Sequence, residues 1–196
     1  MEDFGFGKAE VRFIAKYKPA VLLNQDNTEM GLHALKTYFV DTHGFSMELV
    51  RTLVVKFPVI LSKDIAHIES VFSLLQSKAS IDREEAMKLI FECPKLLSVN
   101  LEANMDEVFF LFDLYFKISQ ESVVDEIFKK FPYLFCCDTT KMQSFLGHFR
   151  KYRFSNPQIL ALAAQSGGLL ACKPSNFVGM FDYLKINYAI KASEVV

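Results

Sequence analysis

Apolar positions recur with the spacing of a helix ahead of four regularly placed prolines. The prolines lie 39, 36 and 38 residues apart, at Pro19, Pro58, Pro94 and Pro132. Each is followed by an apolar pair at the second and third positions. Gly167 takes a fifth place, 35 residues after Pro132, and two leucines follow it in the same way. A period of 35 to 39 residues indicates an array of helical repeats, here five, each anchored at one of these positions.

The residues before each anchor predict its first helix. In the second repeat, apolar side chains stand eight, five and four positions before the proline, at Val50, Leu53 and Val54, which places them on one helical face. Residues suited to N-caps stand upstream, and they are Gly7, Ser46, Asp82, either Ser119 or Ser122, and Ser155. We expect this helix to end at the anchor, because proline lacks an N–H and restricts the residue before it.

A second helix follows each anchor. Asp64, Asn100 and Asp138 stand six positions after it and are suited to N-caps, and Pro174 starts the last copy. Between the helices, the proline and its apolar pair predict one 3₁₀ turn. In the fifth repeat, we expect Gly167 to stop the helix in place of proline.

These elements predict an all-α solenoid of about five two-helix repeats, with ten principal helices and no β-sheet. No repeat can bury its apolar face alone, so neighbouring repeats must stack. Successive repeats place Leu53, Leu89 and Ile127 at one buried position. We expect residues 1–196 to form a single helical-repeat domain.

Composition narrows the function without naming it. Hydrophobic residues make up 51% of the 196 and charged residues 23%, which is typical of a globular chain. The 22 basic and 23 acidic residues leave a net charge of −1, so the total does not indicate a strongly basic nucleic-acid binder. Charge is nevertheless segregated, with +5 over residues 141–196 and −6 over residues 1–140. In a solenoid this predicts a basic end and an acidic body.

The best candidate for a functional surface lies in the basic part. Arg150, Lys151 and Arg153 flank Tyr152, and phosphates attract Arg and Lys while unpaired bases stack on Tyr or Arg. A contact with RNA or a partner competes with a simpler interpretation, a solvated basic helix end. The candidate nucleic-acid contacts are Lys141, Arg150, Lys151, Tyr152, Arg153, Lys173, Lys185 and Lys191.

The sequence predicts no catalytic residue, cofactor, metal site or small-molecule substrate. The Gly5-Phe6-Gly7-Lys8 stretch lacks the spacing of a phosphate-binding loop and is interpreted as a helix start. The four cysteines show no metal-ligand spacing and are expected to be buried free thiols in a reducing compartment. No apolar stretch approaches the length of a transmembrane helix, so no membrane insertion is expected, and no import signal is visible.

One stretch carries a family resemblance. It runs Gly44-Phe45-Ser46-Met47-Glu48-Leu49-Val50 and continues to Lys56-Phe57-Pro58-Val59-Ile60-Leu61. Weaker copies are Glu92–Leu97, Lys130–Phe135 and Phe154–Pro157. This pattern resembles the mTERF family, the mitochondrial transcription termination factor-like proteins. The resemblance implies a curved, all-helical superhelix in mitochondria or plastids, whose relatives bind organellar DNA or RNA and are not enzymes.

Together, the charge pattern and the resemblance predict a non-enzymatic organellar module that contacts RNA within a ribonucleoprotein such as the mitochondrial ribosome, beside neighbouring proteins. Two alternatives remain open: a protein–protein scaffold subunit of an organellar complex, and a DNA-binding transcription factor. The near-zero net charge disfavours the DNA-binding alternative. The resemblance favours a mitochondrion and leaves a plastid open.

Overall fold

The computed structural model describes residues 1–23, 25–171 and 174–190, and this part of the chain is helical without a strand. The α-helices are α1 Lys8–Tyr17, α2 Pro19–Leu22, α3 Gln25–Leu35, α4 Met47–Lys56, α5 Ile65–Ala79, α6 Arg83–Glu92, α7 Leu101–Phe116, α8 Gln120–Val123, α9 Thr139–Lys151, α10 Asn156–Ala171 and α11 Pro174–Tyr188. The 3₁₀ segments are Glu2–Phe4, Pro58–Ser62, Pro94–Leu97 and Pro132–Cys136. The π-helical segments are Lys36–Thr42 and Val124–Phe128. The all-α prediction is confirmed.

The prolines end helices as predicted. α4 ends at Lys56 and α6 ends at Glu92, each two residues before its proline. Pro58, Pro94 and Pro132 then open short 3₁₀ segments. The first repeat differs, because Pro19 opens the short helix α2 instead of a 3₁₀ turn. Counting α2, the described residues contain eleven α-helices where ten principal ones were expected.

Several of the predicted caps are found, although Asp64 stands at the N-cap position of α5 without a side-chain capping hydrogen bond. Ser46 and Asp82 accept hydrogen bonds from the backbone N–H three residues ahead, at 3.3 and 2.8 Å. Asn100 and Asp138 cap the helices that follow the 3₁₀ segments. Ser119, and not Ser122, caps the first helix of the fourth repeat. Each cap satisfies a donor that the helix start would otherwise leave without a partner.

Each repeat begins with a three-residue connector that the sequence analysis recognised in one copy only. Its first residue has the left-handed backbone conformation, its second is apolar, and its third precedes the next helix. The connectors are Gly5-Phe6-Gly7, Gly44-Phe45-Ser46, Ser80-Ile81-Asp82, Lys117-Ile118-Ser119 and Arg153-Phe154-Ser155, with φ of +76°, +72°, +52°, +55° and +60° at their first residues. Gly5-Phe6-Gly7 is therefore a helix start, as predicted.

The fifth repeat corrects one prediction. α10 runs unbroken from Asn156 to Ala171, so Gly167 does not stop the helix and no 3₁₀ segment separates two helices there. Glycine costs a helix interior only about 1 kcal/mol, whereas proline removes a hydrogen bond and clashes with the preceding turn. Without the proline, the helix continues.

The residues of the chain cluster into two compact units, residues 1–97 and 98–196. Leu53 and Leu89 are buried in the first and Ile127 in the second, which confirms the predicted register. The fully buried phenylalanines are Phe39, Phe112, Phe128, Phe135, Phe145 and Phe149. Burying such a side chain contributes about 1.5–3 kcal/mol.

Within each compact unit, the second helix of a repeat docks on the short segment of the next. The contact point is the carbonyl three residues after the anchor. Asn104 Nδ2 donates to the Phe135 carbonyl at 2.8 Å, and His67 Nε2 lies 2.8 Å from the Leu97 carbonyl. At Gly31 the approach is closer still, because a Cβ there would lie 2.3 Å from the Leu61 oxygen. The stacking of neighbouring repeats therefore depends on contacts with backbone carbonyls as well as on the burial of apolar helix faces.

Candidate nucleic-acid interface

The last turn of α9 leaves cations at the surface. Phe145 and Phe149, one helical turn apart, are fully buried and fix the rotation of the helix about its axis. Arg150 and Lys151 consequently face solvent. Asp138 holds the other end of the helix by accepting a hydrogen bond from the Thr140 N–H at 3.0 Å.

The connector after α9 adds a third cation. Arg153 is exposed and has a φ of +60°. The next residue, Phe154, is buried, and its N–H donates to the Phe149 carbonyl at 3.0 Å. Positive side chains at a helix C-terminus also interact favourably with the helix dipole, so helix stability alone accounts for part of this arrangement.

Tyr152 stands at the centre of these cations. Its ring packs on Phe181 of α11 with centroids 4.5 Å apart, and its hydroxyl donates to Asp182 Oδ1 at 2.7 Å. That hydrogen bond, together with burial, raises the pKa of Tyr152 to about 12. Lys151 Nζ and Lys185 Nζ lie 5.9 and 6.0 Å from the ring centroid, within the range of a cation–π contact.

We call Arg150, Lys151, Arg153 and Lys185, grouped around Tyr152, the α9 patch. No described carboxylate forms an ion pair with any of its four cations. Asp182 lies on α11, which packs on α9, and accepts the hydrogen bond of Tyr152. The structure therefore brings together five of the eight candidate residues.

The other three candidates do not join the patch in the described structure. Lys141 lies in the first turn of α9, with its Nζ 3.7 Å from Asp138 Oδ2. Ten residues separate it from Lys151, which is about 15 Å along a helix. Lys173 and Lys191 lie outside the described residues.

Several lysines elsewhere are neutralised within their own helices. Pairs four residues apart join Lys88 to Glu84, Lys117 to Asp113, Lys129 to Asp125 and Lys130 to Glu126, with N–O distances of 2.9, 3.4, 3.0 and 2.6 Å. Such exposed pairs contribute little to stability. They do reduce the positive potential that a phosphate would meet.

A second group of polar side chains lies in residues 1–97. Arg83 donates to both carboxylate oxygens of Glu69, with 3.1 Å from Nη1 to Oε1, and its Nη2 lies 3.1 Å from His43 Nε2. Tyr38 donates to the same carboxylate. Hydrogen bonds from Arg83 and Tyr38 hold the pKa of Glu69 below its usual value. Burial and the positive charge of Arg83 lower the pKa of His43.

This group links the π-helical segment Lys36–Thr42 to α5 and α6. The guanidinium of Arg83 also lies over the Phe72 ring, 4.9 Å from its centroid. The Arg83 guanidinium already has Glu69, Tyr38 and His43 as hydrogen-bond partners. Few of its N–H groups therefore remain to bind a phosphate. We interpret the group as a structural lock.

The prediction of buried cysteines holds for two of the three that the structure describes. Cys93 and Cys136 are buried thiols, whereas Cys137 is half-buried and donates its Sγ–H to the Tyr133 carbonyl at 3.1 Å. Cys172 lies outside the described residues. Within the described ranges, no three His, Cys, Asp or Glu side chains are grouped as ligands of a metal ion. Nor does any helix there have the length and apolarity needed to cross a membrane.

One surface groove has a volume of about 520 Å³ and lies between α3 and the segment Pro58–Ser62. Thr28, Gly31 and Ala34 lie on one side of it, and Lys63 and Asp64 on the other. It follows the line along which two repeats meet.

The exposed side of α1 carries a feature that the sequence analysis missed. Arg12 and Lys16 are exposed beside two aromatic rings, Phe13 and Tyr17, which are 46% and 57% exposed. The net charge of residues 1–140 does not reveal this surface, because acidic residues elsewhere in that range outnumber its cations. The spacing of cations and aromatic residues four positions apart was the signal that could have revealed it.

Comparison with known proteins supports the repeat assignment. A family model described as mTERF matches the chain twice, over residues 35–116 and over residues 66–196. No curated protein matches the chain. Overlapping matches are expected from a repeat array, because neighbouring repeats fit the same part of a model in turn. The matched residues, 35–196, include four of the five connectors and the whole α9 patch.

Proposed function

Since this chain belongs to the mTERF family, we propose that it is a non-enzymatic RNA-binding module of an organellar ribonucleoprotein, such as the mitochondrial ribosome. Proteins of this family are helical-repeat nucleic-acid binders, are generally without enzymatic activity and are typically organellar. The choice of RNA, of a ribonucleoprotein and of the mitochondrion is our proposal. So is the assignment of the contact to the α9 patch.

The observation that carries the proposal is the contrast between the α9 patch and lysines elsewhere. Arg150, Lys151 and Arg153 are exposed and have no described carboxylate partner, whereas Lys88 and Lys130 are paired within their helices. Phosphate groups bind most strongly to guanidinium and ammonium groups that no acid already occupies. The patch therefore has the chemistry of a phosphate contact.

The small number of cations in the α9 patch favours RNA over a long DNA duplex. Four cations neutralise about four phosphates, and the affinity contributed by counterion release grows with that number. The chain has a net charge of −1, so the charge outside the patch is negative on balance and opposes the binding of a long duplex. A short single-stranded or looped RNA segment fits a patch of this size.

A neighbouring protein is the second partner that we propose. The exposed side of α7 combines acidic residues with two exposed apolar side chains, Phe110 and Leu114, at 56% and 43% exposure. From residue 98 to 116 the sequence has four acids and no base. Such a surface repels phosphates and suits a basic or apolar protein surface.

The decisive test is a matched pair of triple variants. Changing Arg150, Lys151 and Arg153 to Gln should reduce affinity for a single-stranded RNA by about 10- to 100-fold and flatten the slope of log affinity against log salt by about 2. The control changes the paired lysines Lys88, Lys117 and Lys130 to Gln and should leave both quantities unchanged. Fluorescence anisotropy over a salt series measures both.

Other outcomes decide between the alternatives. Equal losses from both triple variants would move the contact away from the α9 patch to a surface spread over the chain. A wild-type protein that co-sediments with its complex after RNase treatment, and shows no salt-dependent RNA binding, would be a protein scaffold. Tighter binding to duplex DNA than to RNA of equal length would favour the DNA-binding alternative.

A further inference from the structure

We propose that the exposed side of α1 is a second RNA contact, at which Phe13 and Tyr17 stack on unpaired bases while Lys8, Arg12 and Lys16 bind the phosphates beside them. We call these five residues the α1 face. The proposal rests on the proposed function in requiring that the protein binds RNA, but it uses a different surface, in the compact unit of residues 1–97.

Packing fixes which side of α1 is exposed. Ile14 is fully buried and Val11 is half-buried, and α1 contacts α4. Residues on the opposite side are therefore directed away from the core. The carboxylate of Glu10, the acidic residue within α1, accepts a hydrogen bond from the Gly7 N–H at 2.7 Å and caps the helix start.

The cations form one row along the helix. Lys8, Arg12 and Lys16 are each four residues apart, so they follow one another on the same side at steps of about 6 Å. All three are exposed, and none forms an ion pair with a described carboxylate. Between residues 8 and 18 the chain has four basic residues and one acidic residue.

The aromatic rings form a second row beside the first. The ring centroids of Phe13 and Tyr17 are 4.6 Å apart, and Lys16 Nζ lies 5.3 Å from the Tyr17 centroid. Exposed apolar rings of this size lose the burial energy that a core position would give them, and neighbouring exposed apolar side chains are a feature of interaction sites. Stacking on a base strengthens binding by about 5- to 150-fold per ring and tolerates any base.

Charge complementarity commits this surface to nucleic acid. The exposed stripe of α11, formed by Met180, Tyr183 and Ile186, also presents apolar side chains, but the sequence of that helix contains one cation, Lys185. The α1 face instead alternates rings with cations, which matches the alternation of bases and phosphates in a single strand. Stacking requires bases that are unpaired and accessible, so the ligand of the α1 face is single-stranded RNA and not a duplex.

The experiment separates stacking from charge in the full-length protein. Phe13→Leu with Tyr17→Leu keeps apolar side chains but removes the ring faces. It should lower affinity for a single-stranded RNA at least about 10-fold with no change in salt slope. Changing Lys8, Arg12 and Lys16 to Gln should instead flatten the slope by about 2. A 2-aminopurine base in the RNA should be quenched by wild type and not by the Leu variant.

Tyr183→Leu with Tyr188→Leu is the matched control, since these two rings of α11 are 57% and 63% exposed with centroids 6.0 Å apart. It should bind RNA as wild type does. Circular dichroism and urea unfolding check that both double variants are folded.

The outcomes separate this proposal from the preceding one. Wild-type RNA affinity in the Phe13/Tyr17 double variant overturns the α1 face, whatever the α9 patch does. Loss from the α1 variants alone supports the α1 face and removes the α9 patch from the proposed function. If the α1 variants lose association with a partner protein but keep RNA affinity, the surface binds protein and our proposal is wrong. A wild-type protein that binds no RNA overturns both.

Discussion

The end of α7 and the end of α9 occupy the same place in consecutive repeats but differ in charge. Each passes through a left-handed residue and a buried side chain to the residue before the next helix: Lys117, Ile118 and Ser119 after α7, and Arg153, Phe154 and Ser155 after α9. Lys117 Nζ lies 3.4 Å from Asp113 Oδ2. Arg153 has no described carboxylate partner and has two further cations immediately before it.

This difference shows which positions the fold determines. The buried residues of both connectors are apolar because the core requires them, and the left-handed turn recurs because the chain must reverse. Exposed positions face no such requirement. The difference between a paired lysine at one helix end and a group of cations without a described carboxylate partner at the next therefore reflects the partner that each surface meets.

The largest effects should come from the shared scaffold. Ile118 and Phe154 are each 5% exposed, and changing either to Ala should lower the free energy of unfolding by about 2–5 kcal/mol, since a cavity replaces packed atoms. Leu114→Ala, at an exposed position of α7, should change it by about 0.5 kcal/mol or less. Urea unfolding measures all three. If only one connector residue proved costly, the two helix ends would not be equivalent.

The next effect concerns a contact that α7 makes through Asn104. Its side chain donates to the Phe135 carbonyl of the following repeat, and Met142 holds the equivalent position of α9. Asn104→Leu should cost about 1–3 kcal/mol, because the carbonyl loses its partner inside a packed interface. Asn187, whose amide donates to the Tyr183 carbonyl at an exposed site, gives the control Asn187→Leu, for which urea unfolding should show a smaller loss.

Much of this scaffold could be predicted because its signals are local. A proline removes a hydrogen bond wherever it stands, and a cap such as Ser46 or Asp82 acts on a backbone N–H three residues away. The apolar period then identifies the buried face, as Leu53 and Leu89 show. Local chemistry of this kind needs no knowledge of the packing.

The remaining features depend on partners distant in sequence or on small energy differences. Tyr152 meets Asp182 across 30 residues, and no local pattern selects that partner. The helix that continues through Gly167 reflects a cost of only about 1 kcal/mol per glycine, which is too small for a glycine alone to end a helix. The π-helical segment Lys36–Thr42 likewise has no periodic signature in the sequence.

The stability of the α9 end should depend on whether the Tyr152 hydroxyl is protonated. The Tyr152 hydroxyl is the neutral donor to Asp182, and its pKa is raised to about 12. Its contribution to stability is therefore complete below the usual tyrosine pKa near 10 and is lost as pH rises from about 10 to 12. Tyr152→Phe should cost about 0.5–1 kcal/mol at neutral pH, and less against wild type as pH approaches 12. Urea unfolding over this pH range measures the difference.

The same variant has a spectroscopic signature. Tyrosinate absorbance of wild type should include an ionisation near pH 12 from Tyr152, and Tyr152→Phe should remove it. Burial and the hydrogen bond to Glu69 raise the pKa of Tyr38 further, so Tyr38 should ionise later in both proteins. Tyr183→Phe, at an exposed position, should leave stability unchanged. An unchanged ionisation near pH 12 in Tyr152→Phe would show that the hydroxyl does not donate to Asp182.

The smallest effect separates stability from function at the two helix ends. Lys117 and Arg153 both hold φ near +60°, which costs a residue with a Cβ more than it costs glycine. Lys117→Gly and Arg153→Gly should each stabilise the protein by up to about 1 kcal/mol, measured by urea unfolding. Only Arg153→Gly should weaken RNA binding, with a decrease of about 0.7 in salt slope for one lost phosphate contact. If Lys117→Gly weakened RNA binding equally, the difference in charge between the two ends would not distinguish their partners.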